Sequence, residues 1–291
     1  MAPKKPTLTI PLAIRLLSMQ IAVLAVWQPS AASPQASPEP NSPQAEVRSK
    51  ARDQLSKGVQ AFKDAQYPAA VEHFTAAVEL DANFTTARLY LATVFMQQYI
   101  PGNDSPDNIK MASKAEDQFQ IVLEQDPMNE LAINSVAWLY FNEKKLDAAE
   151  QWYQKLVAVK PGNKEAYYSL GVIAWTRALQ PLIDARAGLG MKPADQGPLK
   201  DNNLRAELSA ANRPLVEEGF ENLDAAIRLD PEYDDAMAYE NLLYREKADL
   251  EDSAEGYRAD MEAADYFVAK TLETRKVKAE RNARNTAQDP R

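Results

Sequence analysis

Three helices closed by proline, all with one internal spacing, constrain this chain more than anything else in it. Ala115, Phe119 and Pro127 stand four and eight residues apart. Ala149, Tyr153 and Pro161 repeat those intervals, and so do Gly219, Leu223 and Pro231. Pro127 and Pro161 are 34 residues apart. A small residue, an aromatic or Leu one turn later, and a Pro beyond the helix end recur with that period, which is the signature of repeated helical hairpins. Such units leave an apolar face uncovered and gain stability by stacking on their neighbours. The predicted fold class is all-α.

The helical pattern begins at Ala51, where Leu55, Val59 and Phe62 share a face and Gly58 allows close approach. Ala70, Phe74 and Ala77 line a second helix that ends near Asp81. Ala82 stands where later units have Pro, which predicts a less sharp end. A second hairpin opens at Thr85, with Leu91, Ala92 and Phe95 inside. Ala82 to Pro127 spans 45 residues, eleven more than one period, and places a turn-rich insertion at about 100–110. The third hairpin is the most regular, with Val136, Ala137 and Tyr140 on its first helix and Leu146, Ala149, Tyr153 and Leu156 on its second.

The fourth hairpin starts with Tyr167, Leu170, Gly171 and Ala174, but its closing motif waits until Gly219. Pro161 to Pro231 is 70 residues, so about 36 are inserted, at 176–213. Thr176 to Ala187 prolongs the first helix, Gly188 to Lys200 reads as a loop, Leu204 to Ala211 as a short helix, and Arg213-Pro214 as the restart of the interrupted one. The insertion is either a lid or docking arm, or a tolerated excursion. A fifth hairpin carries Met237, Leu243 and Tyr244, then Ala263, Ala264 and Phe267. It runs into a charged C-terminal tail at 274–291, which shields the last core surface from water.

The residues Tyr167-Tyr168-Ser169-Leu170-Gly171, with Ala149-x3-Tyr153 and Pro161, resemble the tetratricopeptide repeat family. The resemblance covers about Glu46 to Phe267. It implies a right-handed α-solenoid of about five hairpins over 46–273. Arg88 departs from the pattern where a large apolar residue is usual, and Glu240 and Asn241 stand in place of Leu-Gly. The resemblance also implies that the first helices of the hairpins line a concave face. Inner positions are then Asn134, Trp138, Phe141 and Asn142 in the third unit and Tyr168, Val172 and Trp175 in the fourth. Aromatic anchors beside amides suit an extended peptide or a partner helix. The other reading of the same residues is packing against neighbours or beneath the insertion. The carboxylate clamp of some members needs Lys and Asn where this chain has Leu55 and Val59, so that mode is not expected.

Composition narrows the chemistry. The formal net charge is −9 and the pI about 4.9, which argues against nucleic acid as a partner. There is no cysteine and one histidine, so thiol chemistry and thiolate metal sites are excluded. His73 lies beside Phe74 with no nucleophile motif near it and reads as structural. The acidic run Asp230, Glu232, Asp234 and Asp235 lacks the alternation and central Gly of a calcium loop, and acids at a helix start are favoured by its dipole. No cofactor and no metal are predicted. From Glu217 to Asp265 acids outnumber bases; this is either a solvated face with charge complementarity between neighbours or a patch that selects a basic partner.

Lys4 and Lys5 open a basic stretch that ends at Arg15, Leu16 to Trp27 is mostly apolar, and Ser30-Ala31-Ala32 supplies small residues. This is the pattern of a signal peptide, 1–32, with cleavage after Ala32; about 12 apolar residues are short of the roughly 20 that span a bilayer. An uncleaved anchor and a buried helix are the alternatives. A Pro/Ser/Ala-rich linker follows at 33–45. The predicted function is an exported, non-enzymatic scaffold in the periplasm or cell envelope that holds a partner protein's peptide or helix in the concave groove, with no membrane insertion after cleavage. A self-assembling spacer is the alternative, and a carboxylate-dependent hydrolase is a third reading.

Overall fold

The computed structural model describes residues 42–192 and 195–288. The signal segment and most of the linker lie outside them. The described residues form ten helices and no strand: α1 (Pro43–Lys63), α2 (Tyr67–Leu80), α3 (Thr85–Gln98), α4 (Pro106–Gln125), α5 (Glu130–Asn142), α6 (Leu146–Val159), α7 (Lys164–Gly188), α8 (Asn202–Leu229), α9 (Asp234–Asp249) and α10 (Ala254–Gln288). They follow one another as five hairpins, the all-α solenoid class that the spacing predicts. The chain divides into two compact units, one ending at Gln118 and the other beginning at Phe119.

In the first unit α1 packs on α2 and α2 on α3. The contact is close because Gly58 has no side chain: a Cβ there would stand 2.5 Å from the Phe74 ring. Ala51, Gly58 and Ala61 form the buried face of α1, while Leu55, Val59 and Phe62 are half-buried. Phe74 also stacks on Tyr90, with ring centroids 5.3 Å apart. The unexpected Arg88 is buried, and its guanidinium donates to Gln118 Oε1 and to the Ala82 carbonyl, both at 2.8 Å. Hydrogen bonds thus take the place of the apolar contact that the family pattern supplies there.

The second unit stacks in the same way. α5 packs on α6, α6 on α7, α7 on α8 and α9, and α9 on α8 and α10. Glycines of the opening and closing motifs let neighbouring helices approach closely. A Cβ on Gly171 would lie 2.6 Å from Leu223 and 3.3 Å from the Gly219 carbonyl, and one on Gly219 would lie 2.7 Å from Leu243. Ala149, Tyr153, Leu156, Leu223 and Ala226 are all buried, and burial pushes the Tyr153 hydroxyl up to about 12.

Three of the four joints between hairpins are built from a short polar device, and Lys160 stands at the fourth. Asp81, Asp126 and Asp230 each accept a hydrogen bond from the backbone N–H two residues on, at 3.1, 3.2 and 2.9 Å. This Asx turn breaks the helix. Asn129 and Asn163 then cap the next helix, accepting from the N–H of Ala132 and Ala166. The first hairpin is therefore not less sharply ended than the others. Asp81 has φ −138° and Asp230 φ −139°, so the carboxylate sets the turn whether or not Pro follows.

Four boundaries differ from the sequence reading. The linker predicted to reach residue 45 gives way to α1 at Pro43, because Pro suits the first helical turn and Ser42 accepts from Ala45 N–H. The insertion at 100–110 is a loop only as far as Ser105; α4 starts at Pro106, and Asn108 pins the loop through Ile100 and Asn103. The tail at 274–291 is no separate element as far as Gln288, since α10 continues through it. Finally, Arg213-Pro214 does not restart a helix. α8 runs unbroken from Asn202 with Pro214 inside it, pinned by the Asn212 amide on the Ala178 carbonyl at 2.9 Å.

The long insertion thus mostly lengthens α7 and α8. Its connection folds back on the end of α9. Leu182, Ala185, Met191, Leu199 and Leu250 form a small buried core of their own. Leu199 N–H donates to the Asp249 carbonyl, and Arg205 donates to the Leu199 carbonyl. Arg186 pairs with Asp249 at 2.6 Å and also donates to the carbonyls of Lys192 and Asp195. The described residues of the insertion buttress the end of α9.

Candidate partner-binding site

The seven predicted inner residues fall into two kinds. Trp138, Tyr168 and Val172 are buried, at 9 %, 7 % and 5 % exposure. Asn134, Phe141, Asn142 and Trp175 are half-buried and present surface. The Asn142 amide donates to the Trp138 carbonyl one turn back at 2.8 Å, which fixes its orientation. Tyr168 is buried because the next hairpin closes over it: its ring meets Tyr233 at 5.2 Å and Tyr239 at 5.5 Å.

Tyr239 joins the predicted residues of the fourth unit. Its ring meets Trp175 edge-on at 5.1 Å, so a Trp and a Tyr from the first helices of adjacent hairpins, α7 and α9, form one aromatic platform. Edge-to-face contacts of this kind hold both rings in place. The signal for Tyr239 in the sequence is its position one residue before the irregular Glu240-Asn241, where the family pattern is weakest. Burial raises the hydroxyl pKa of Tyr168, Tyr233 and Tyr239, so all three stay protonated.

Beyond Trp175 the lengthened α7 and its neighbour α9 line an open cleft of about 170 Å³. Trp175, Leu179, Leu182, Ile183 and Leu242 give it apolar walls, and Glu246 completes them with Arg186, Arg245 and Asp249. Ile183, 46 % exposed, stands at its rim. Glu246 itself is 5 % exposed, and neither carboxylate oxygen has a hydrogen-bond partner. Burial, with the nearby Asp249 charge, pushes its pKa up to about 9. Glu240, on the same helix, is 1 % exposed; burial and the Asp224 charge push it up to about 8, against an opposing effect of Lys270.

The other groups singled out in the sequence are tied into the fold. His73 Nδ1 and Gln54 Oε1 are hydrogen-bonded at 2.9 Å. The acidic run is met by cations: Asp230 by Lys164, Glu232 by Arg281, Asp234 by Arg275 and Lys278, and Asp235 by Arg275. Burial opposes ionisation of Asp234, but hydrogen bonds from Arg275 and Lys278 hold its pKa below the usual carboxylate range. For these four residues that arrangement favours charge complementarity between neighbouring helices over an open acidic patch. No helix among the described residues is long and apolar enough to cross a membrane.

Comparison with known proteins agrees with this architecture. The tetratricopeptide repeat family profile matches residues 112–164, which take in the closing motifs of the second and third hairpins. Among solved structures, a MamA protein aligns with a TM-score of 0.53 at 16 % identity, over 81 % of this chain and 96 % of its own. MamA from Desulfovibrio magneticus RS-1, residues 41 to the end, gives 0.51 at 16 % identity, over 78 % of this chain and 96 % of its own. At that identity the likeness is one of fold. No curated protein sequence matches this chain. The motif intervals, the profile match and the fold agree: residues 112–164 match the tetratricopeptide repeat family, and the chain shares the helical-hairpin fold of the MamA structures.

Proposed function

We propose that the chain is an exported, non-enzymatic scaffold that holds a peptide or helix of a partner protein on the face carried by α5, α7 and α9. The observation that carries this reading is the Trp175–Tyr239 platform. It is large, half-buried and rigid, and it lies on the first helices of adjacent hairpins, next to an apolar cleft. Pre-positioned aromatics with two side-chain torsions each bind with little loss of conformational entropy, which is why they anchor so many interfaces.

The test is a selection of random-sequence displayed peptides on the chain from Ser33 onward. Retained peptides are expected to lose tenfold or more in affinity with Trp175→Ala and with Tyr239→Ala, while circular dichroism stays unchanged. Equal affinity in both variants removes this face from the argument.

Export is supported by the N-terminal pattern alone. In the producing cell, the intact mass and N-terminal sequence are expected to show a chain that begins at Ser33. A soluble or membrane-bound chain that retains residues 1–32 overturns cleavage.

A further inference from the structure

The cleft beside Trp175 has a feature that packing does not account for. An apolar wall and a buried acid without a partner are a costly combination, because a carboxyl group shut off from water forfeits its hydration whether or not it is charged. The rest of the polar lining is committed. Arg186 is taken up by Asp249 and the carbonyls of Lys192 and Asp195. Arg245 is taken up by Asn241, Asp265 and the Met261 sulfur. Each guanidinium charge is thus matched by a carboxylate of its own, and Glu246 is left with both oxygens unmatched.

We propose that this cleft seats a lysine side chain of the bound partner, with its methylenes along Leu179, Leu182, Ile183 and Leu242 and its ammonium on the Glu246 carboxylate, which turns into the cleft to meet it. The proposal rests on the partner-binding reading above and names the residue that this part of the face selects. A lysine matches the shape and the charge of the cleft together. Its four-carbon stem suits walls of aliphatic side chains, and its compact ammonium needs one carboxylate and no planar fork. An arginine brings a flat guanidinium to a space already flanked by two others. An apolar side chain fills the walls but leaves Glu246 as it is.

The experiment uses the displayed-peptide selection and then three synthetic versions of one retained peptide, with Lys, norleucine or Arg at the same position. Lysine enrichment is expected among retained peptides, and the Lys peptide is expected to bind at least tenfold tighter than the norleucine and Arg versions. Glu246→Gln, which keeps the shape and removes the acid that can ionise against an ammonium, is expected to erase that preference. Retained peptides that depend on Trp175 but show no lysine preference overturn the lysine seat and leave the partner-binding face standing. A lysine preference that survives Glu246→Gln also overturns it. If no peptide depends on Trp175 or Tyr239, the face itself fails and the seat with it.

Discussion

Glu246→Gln is expected to stabilise the second unit by about 3 kcal/mol at pH 7, and Glu240→Gln by a similar amount. Both carboxyls are buried, and their pKa values are pushed up from an ordinary 4.5, to about 9 and about 8. In the unfolded chain each ionises near the ordinary value and is solvated; in the fold each is held protonated. The sign follows from linkage. A group whose folded pKa is raised contributes most favourably below its unfolded pKa, and that contribution drains away as the pH rises through the folded value. For Glu240 the window runs from 4.5 to about 8, and for Glu246 from 4.5 to about 9. A glutamine has no proton to lose. Urea unfolding followed by tryptophan fluorescence should show each variant more stable than the parent at pH 8, with the difference nearly gone at pH 4. Trp138, Trp152 and Trp175 all report on this unit. A gain that does not change with pH would show that the two acids are ionised in the fold.

The second large effect lies where α7, α8 and α9 meet. Leu223→Ala is expected to cost about 2–5 kcal/mol, since a fully buried Leu is replaced by a cavity. Gly171→Ala is expected to cost about 1–3 kcal/mol, because the new methyl would stand 2.6 Å from the Leu223 side chain. The two changes act on one contact with opposite signs of volume. Combining them should therefore cost less than the sum of the two, by about 1 kcal/mol or more. Part of the Gly171→Ala penalty should remain even then, because the Gly219 backbone carbonyl, 3.3 Å from the added carbon, cannot be cut back. Chemical unfolding of the four proteins completes the cycle, and strict additivity would mean that Gly171 and Leu223 do not share the contact.

The hairpins were legible in the sequence because their determinants are local and repeated. Ala149, Tyr153 and Pro161 sit on one helix and its exit, and their intervals recur in two other units. The insertion was legible in length but not in conformation. Pro214 signals a break, yet the Asn212–Ala178 hydrogen bond and the packing of α8 keep the helix whole. Such long-range contacts leave no periodic trace. The candidate site was half legible. Trp175 falls at an inner position by spacing alone, whereas Tyr239 and Glu246 lie on the helix that departs most from the family pattern. There the sequence shows polar residues where apolar ones are expected. Their burial becomes visible only once α7 and α9 are side by side.

The Asp-led joint recurs at residues 81, 126 and 230 with nearly the same geometry, and the carboxylate does the turning. Each of these three connectors therefore carries its own turn signal. A lineage can lengthen or shorten such a chain by a whole 34-residue module without inventing a new hinge, and a protein engineer can splice at the same seams.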